Sequence, residues 1–228
     1  MRNRILALLA LLTAAFVLPQ QAAHAQAGID QQQTINKALG TVERLRTQQN
    51  FKADFNADLA RARGVLVVPD LYKAGFILGG QFGNGALLVR QQNGTFSYPA
   101  FYTLSGGSIG LQIGAEDVSI VFLVMTENGL NALMQNKFKI GAEAQAALAV
   151  VGGGVEGNTT SNGGVDIKAY ALGAIGLYGS LSLEGAVIAP RDTWNEAYYG
   201  KPVAAHDVAF SNAAQNPEAD RLRDFLAH

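Results

Sequence analysis

Residues Gly75–Gly114 read GFILGGQFGNGALLVRQQNGTFSYPAFYTLSGGSIGLQIG, and this stretch decides the fold. Apolar runs of strand length alternate with glycine, without the spacing of a long helix. Gly75–Gln81 and Gly85–Gln91 are two short apolar segments. Phe82-Gly83-Asn84 joins them at hairpin spacing, with glycine in the loop. Asn93-Gly94 is a strong hairpin signal, because both residue types tolerate positive φ. Ser108–Gly114 then alternates, with Ile109, Leu111 and Ile113 on one face and Gly110, Gln112 and Gly114 on the other. A glycine-lined face lets a backbone or ligand come close, or lets a sheet curl. The expected centre is therefore an antiparallel, strongly curved sheet that the rest of the chain extends or covers.

Upstream of this centre the apolar period changes to that of a helix. Ile35, Ala38, Leu39, Val42 and Leu45 recur at three- and four-residue steps, and Phe51, Phe55 and Leu59 continue through a second helix. Gly64 is a natural helix stop, and Val65–Val68 reads as a short strand ended by Pro69. Downstream, Val118–Met125 has the unbroken apolar character of a strand buried on both faces. Glu127–Met134 reads as a short helix with Thr126 as its N-cap. Ala142–Val151 and Val165–Ala171 alternate as strands, and Leu181 and Leu183 mark the last long strand. Pro190–Tyr199 and Pro217–Ala227 read as closing helices. The fold class expected is α+β: a curved, barrel-like antiparallel sheet covered by N-terminal helices and short C-terminal helices. Tyr72, Phe76, Phe82, Phe96, Tyr98, Phe101 and Tyr102 cluster around that sheet, mostly as core, with some free to line an apolar cavity for acyl chains.

The first residues speak to the compartment. Arg2 and Arg4 precede the apolar run Ile5–Leu18, and Ala23-His24-Ala25 is a small-x-small cleavage site. This is the pattern of a secretory signal peptide over residues 1–25, cut before Gln26. Residues 26–33 are then a flexible polar leader, 34–200 the folded domain and 201–228 a tail with a short helix. A periplasmic or secreted location follows. Loss of Arg2 and Arg4 leaves 15 basic against 18 acidic residues, a net charge of −3. Nucleic-acid binding, which calls for a strongly basic domain, is not expected.

Gly106-Gly107-Ser108-Ile109-Gly110 has the spacing of a nucleophile elbow, but a glycine-rich turn precedes Ser108 and an alternating strand follows it. Gly152-x-Gly154-x-x-Gly157 has dinucleotide-loop spacing, yet it runs into Asn158-Thr159-Thr160-Ser161-Asn162 rather than a helix. There is no cysteine, and only His206 and His228 remain after cleavage, so neither a metal site nor a cofactor is expected. More informative is Thr34–Arg63, which carries Lys37, Arg44, Arg46, Lys52, Arg61 and Arg63 against Glu43, Asp54 and Asp58. Its net charge of +3 opposes that of the whole. Ordinary solvated helix faces account for such a pattern, and so does an anionic membrane surface that meets the basic side chains while aliphatics insert.

From about Ile35 to Gly200 the chain resembles the SYLF-domain family. The resemblance is carried by Lys73-Ala74-Gly75-Phe76, Gly79-Gly80, Gly83-x-Gly85, Val89-Arg90, Ser97-x-Pro99-Ala100-Phe101 and Ser108–Gly114. It continues through Gly141, Lys168-Ala169-Tyr170, Gly176–Gly179, Leu183-Glu184-Gly185, Asn195 and Tyr198-Tyr199-Gly200. Phe96 stands where the family usually has Trp. The resemblance implies a non-enzymatic α+β domain that acts on membranes. The function expected is binding of an anionic phospholipid surface through Lys37, Arg44, Arg46, Lys52, Arg61 and Arg63. The alternative is a structural or protein-interaction module of the cell envelope, with a hydrolase using Ser108 a remote third. Actin, a partner of some family members, is not expected in a periplasmic compartment.

Overall fold

The structure is a computed structural model that describes residues 28–49, 52–75, 78–109, 116–141, 148–151, 165–173, 176–177 and 183–228. Two helices come first, α1 (Ile29–Thr47) and α2 (Lys52–Arg61). They are followed by β1 (Gly64–Gly75), β2 (Leu78–Val89), β3 (Ala100–Ile109) and β4 (Glu116–Val124). Helix α3 (Glu127–Leu133) leads to β5 (Phe138–Lys139), β6 (Leu148–Val151), β7 (Ile167–Gly173), β8 (Gly176–Leu177) and β9 (Val187–Pro190). Helices α4 (Asp192–Tyr199), α5 (Ala205–Ser211) and, after a 3-10 turn at Pro217–Ala219, α6 (Asp220–Ala227) complete it. The strands form one sheet in the order β5-β9-β3-β2-β1-β4-β7-β6, with β8 on β7. Only the β6–β7 pairing among them is parallel. The sheet curls into a half-barrel, α+β as expected.

The expected apolar stripe of α1 is buried, as are Phe55 and Leu59 of α2. Strand β4 is buried on both faces from Val118 through Val124, except half-buried Ser119. The Thr126 hydroxyl accepts from the Gly129 N–H at 3.1 Å and caps α3 as expected.

Strand β1 departs from expectation. It does not end at Pro69 but runs through it, with a bulge there. Against β2 the register goes from Val67↔Ala86 to Asp70↔Asn84, and against β4 from Val68↔Ile120 to Leu71↔Val118. β1 thus carries one residue more than either neighbour around Val68–Pro69. Proline has no N–H to give a ladder, so it fits where pairing lapses. The Ser119 hydroxyl donates to the freed Pro69 carbonyl at 2.6 Å. The bulge also explains why Phe82-Gly83-Asn84 is not a hairpin loop. β2 is continuous through it, and its glycines admit the bulging neighbour. A Cβ on Gly85 would lie 2.5 Å from the Val67 carbonyl oxygen, and one on Gly83 2.6 Å from that of Asp70.

One extra residue reverses which face each later side chain occupies. Before the bulge, Val65 and Val67 share a face with Leu123 and Val121, and Leu66 and Val68 point into the half-barrel. After it, Leu71 joins Val118 inside and Asp70 and Tyr72 turn outward.

Other differences are local. Gly64 opens β1 rather than stopping a helix. In the β2–β3 connection only Gly94 has positive φ (+86°), while the Asn93 carboxamide accepts from the Thr95 N–H. The Gly94 N–H closes the turn on the Gln91 carbonyl at 2.9 Å. Leu183–Ala186 is a turn with Gly185 at φ +77°, and the strand is β9 beyond it. The polar leader is helical from Ile29: Gln31 is 2% exposed and Gln32 accepts from the Tyr198 hydroxyl, so its polar side chains serve tertiary contacts. Helix α5 has no counterpart in the sequence reading. Phe51, Phe76, Gly110–Gly114, residues 142–147, the Gly152–Gly157 loop and Leu181 lie outside the described residues.

Candidate functional site

Directly paired residues share a sheet face, so the register shows what the helices cover. Val67, Ala86, Phe101, Val121 and Tyr170 lie in one row on the outer face. Phe55 of α2 packs edge-on against Tyr170, and Trp194 and Tyr198 of α4 pack against Phe101. Helix α1 crosses the same face, reaching Asp70 of β1 through Lys37 and the end of β7 through Arg44.

The next row is Thr103, Asn84, Asp70 and, on β4, Ser119. Three cationic side chains line it. The Lys37 ammonium is 2.8 Å from Asp70, the Arg44 guanidinium donates to the Gly173 carbonyl at 3.3 Å, and Arg191 donates to the Asn84 side chain at 2.5 Å. Lys37 and Arg44 are seven residues apart and therefore on one side of α1. Arg191 also lies over the Trp194 ring at 4.0 Å. Burial draws its pKa below the ordinary arginine value, against a smaller upward pull from Asp30.

Beyond this border the outer face carries two half-exposed aromatic side chains. Tyr72 of β1 and Phe82 of β2 are directly opposite each other, 52% and 47% exposed. Ser105 of β3 lies beside Phe82 in the same register. Phe96, Tyr98, Phe101 and Tyr102, by contrast, are buried as core. A cross-strand aromatic pair half in solvent, with Lys37, Arg44 and Arg191 along one border and Asp117 paired with Tyr72 on β4, can contact an amphipathic surface.

The six basic residues expected to act together are dispersed. Lys37 and Arg44 belong to the border just described. Arg46 is half a turn away on α1, donates to the Asn56 side chain at 3.0 Å and to the Phe225 carbonyl at 2.8 Å, and joins α2 and α6 to α1. Lys52 is exposed in the first turn of α2. Arg61 and Arg63 lie at the opposite end of β1, paired with Asp58 and Glu127. The sequence reading missed Arg191, and it took Tyr72 and Phe82 for members of a mostly buried cluster. The exposure of that pair depends on the bulge, which Pro69 alone could have suggested.

Ser108 does not sit on a strand-to-helix elbow. It lies within β3, paired with Gly79. Helix α5 is tied near the other end of that strand, where Gln91 donates to the Ala209 carbonyl at 3.0 Å, and His206 is exposed beside Asp207. Among the described residues no group of acidic, His or Cys side chains is arranged to hold a metal ion.

Residues 105–228 match the sequence model of the family described as "Ysc84: Las17-binding protein actin regulator". That match spans more than half of the chain. The chain belongs to the Ysc84/SYLF family. Family relatives include "SH3 domain-containing YSC84-like protein 1" of Rattus norvegicus, 27% identical over 169 residues, which are 74% of this chain and 49% of the relative. "Protein YSC84" of Saccharomyces cerevisiae is 28% identical over 171 residues, 74% of this chain and 36% of the relative. "LAS seventeen-binding protein 3" of the same yeast is 26% identical over 166 residues, 72% and 36%. The chain thus spans about half or less of the length of these curated relatives.

Proposed function

We propose that this Ysc84/SYLF chain is a non-catalytic module that binds anionic phospholipid surfaces through the outer face of its sheet. The observation that carries the reading is the Tyr72–Phe82 pair, exposed beside Lys37, Arg44 and Arg191. Aromatic side chains favour the membrane–water interface, and basic ones favour anionic headgroups. Each cation near such a surface contributes about 1 kcal/mol, and Lys37 less because Asp70 already answers it. Half-burial of two aromatic side chains adds about 2–3 kcal/mol. The sum, roughly 4–6 kcal/mol, corresponds to millimolar to tens-of-micromolar binding, that of a reversible peripheral contact.

Vesicle co-sedimentation of the protein as recovered from the cell tests the proposal. Phosphatidylglycerol-containing vesicles should bind it, pure phosphatidylcholine far less, and added salt should weaken binding. Tyr72→Ser with Phe82→Ser should abolish it. Full retention by that double variant would refute the outer face as the contact.

A second reading is a protein-interaction module, favoured by the family description, which names binding of a protein. The same aromatic pair would then serve as anchors. Failure to bind either vesicle type would favour this reading. We further propose export by a cleaved signal over Met1–Ala25, which would separate the protein from actin. A mature N-terminus at Gln26 by mass spectrometry supports this, and an intact Met1 in the membrane fraction would oppose it.

A further inference from the structure

At the opposite end of the sheet, roughly 25 Å along β1 from Tyr72, is a groove of about 1150 Å³. The end of α2, the β2–β3 turn, the start of α3 and the C-terminal helices enclose it. Arg61, Arg63, Arg90 and Arg223 line it, with Glu127 the carboxylate among the lining residues. The chain as a whole is −1, so the local sign is reversed.

Two of these arginines are locked. Arg90 donates to the Ala62 and Leu59 carbonyls, both at 2.9 Å, and to Gly94 at 3.2 Å, with its guanidinium 4.5 Å from the Phe96 ring centre. Arg223 donates to the Phe96 carbonyl at 3.0 Å and to Asp220 at 2.6 Å, and stacks 3.8 Å from the Tyr98 ring centre. They form a fixed positive floor. The other two are movable, with side chains 67% (Arg61) and 51% (Arg63) exposed. Arg61 can leave Asp58 without stranding a buried charge, because Lys168 (2.7 Å) and the Tyr170 hydroxyl (2.7 Å) also hold that carboxylate. Arg63 shares only a surface pair with Glu127, which costs little to exchange.

Planar guanidinium groups match the oxygens of a phosphoryl group: Arg61 and Arg63, on leaving their carboxylates, can each offer two parallel N–H donors, while Arg90 and Arg223 supply fixed positive charge beneath them. We propose that this groove binds a phosphate-bearing ligand, with Arg61 and Arg63 closing on the phosphoryl oxygens above Arg90 and Arg223. Amide side chains of Gln91, Asn93 and Gln215 around the groove supply hydrogen bonds to the rest of the ligand. The site is separate from the outer face and stands or falls independently of it.

The phosphoryl group could belong to a free phosphate ester or to a lipid headgroup, and the experiment distinguishes the two. Calorimetric titration of the protein with inorganic pyrophosphate at constant ionic strength reads the free form. Co-sedimentation with phosphatidic acid vesicles, in the Tyr72→Ser/Phe82→Ser variant, reads the headgroup. Arg61→Gln with Arg63→Gln, both at exposed side chains, should weaken the bound form at least about tenfold. Glu127→Gln should tighten it, which no general loss of structure would do. Pyrophosphate binding with this pattern assigns a soluble ligand, and vesicle binding alone with this pattern assigns a headgroup. Binding of neither probe, or binding indifferent to the arginine pair, would overturn the proposal.

Discussion

Replacing Gly85 by alanine adds one methyl group, and the bulge in β1 gives it nowhere to go. The new Cβ would lie 2.5 Å from the Val67 carbonyl oxygen and 2.9 Å from a Val68 methyl. The nearest atom is backbone, so no rotamer change relieves the clash. Either β1 and β2 separate or the bulge moves, and moving it turns every residue between its old and new positions to the wrong face. Overpacking of this kind costs about 1–3 kcal/mol. For a domain of this size that lowers the melting temperature by about 2–12 °C. Gly107→Ala is the matched control: it sits in neighbouring β3, and a Cβ there meets nothing within 4 Å. Thermal melts by circular dichroism should show a clear loss for Gly85→Ala and little change for Gly107→Ala. Equal melts for Gly85→Ala and wild type would refute the close approach and the register built on it.

Asp58, 3% exposed, gives a second test. Burial raises its pKa, but hydrogen bonds from Lys168, Tyr170 and Arg61 outweigh this and hold it below the ordinary carboxylate value. Its stabilisation is therefore present above the unfolded pKa of about 3.9 and lost as pH falls through the lower folded value. Asp58→Ala should cost about 3 kcal/mol near neutrality, at the low end for a broken buried pair because Lys168 reaches solvent. The gap to wild type in melting temperature should close in strong acid. Arg46→Gln should destabilise by about 1–3 kcal/mol, since it strips charged hydrogen bonds joining three helices, whereas exposed Lys37→Gln should fall within about 1 kcal/mol of wild type. Denaturant melts of the two side by side check this contrast.

Helices α1 and α2, strand β4 and the Thr126 cap were legible because each is a local pattern of period, apolar run or capping residue. The β1–β2 pair was not. Gly83 and Gly85 have the appearance of turn residues, and their reason for being glycine lies in the carbonyls of another strand. Charge was legible on Thr34–Arg63, but not its allocation. Arg46 is spent on Phe225, 179 residues away, and Lys37 on Asp70. Tyr72 and Phe82 emerge as a surface pair only when the bulge shifts the register by one. Arg191 reaches the same border from the turn after β9, where no nearby sequence pattern marks it.

The central claim, that the outer face beyond α1 meets the bilayer, can be measured at Ser105, which neighbours Phe82 and leaves both aromatic residues intact when replaced. The chain has no cysteine, so a nitroxide on Ser105→Cys is unique, and one on exposed His206→Cys in α5 reports the opposite end, outside the groove lining. Electron paramagnetic resonance with oxygen and a water-soluble relaxant gives immersion depth on phosphatidylglycerol vesicles. The expected result is a Ser105 label that gains oxygen exposure and loses contact with the aqueous relaxant, while the His206 label stays in water. A protein that sediments with the vesicles while its Ser105 label remains fully aqueous would contradict the claim.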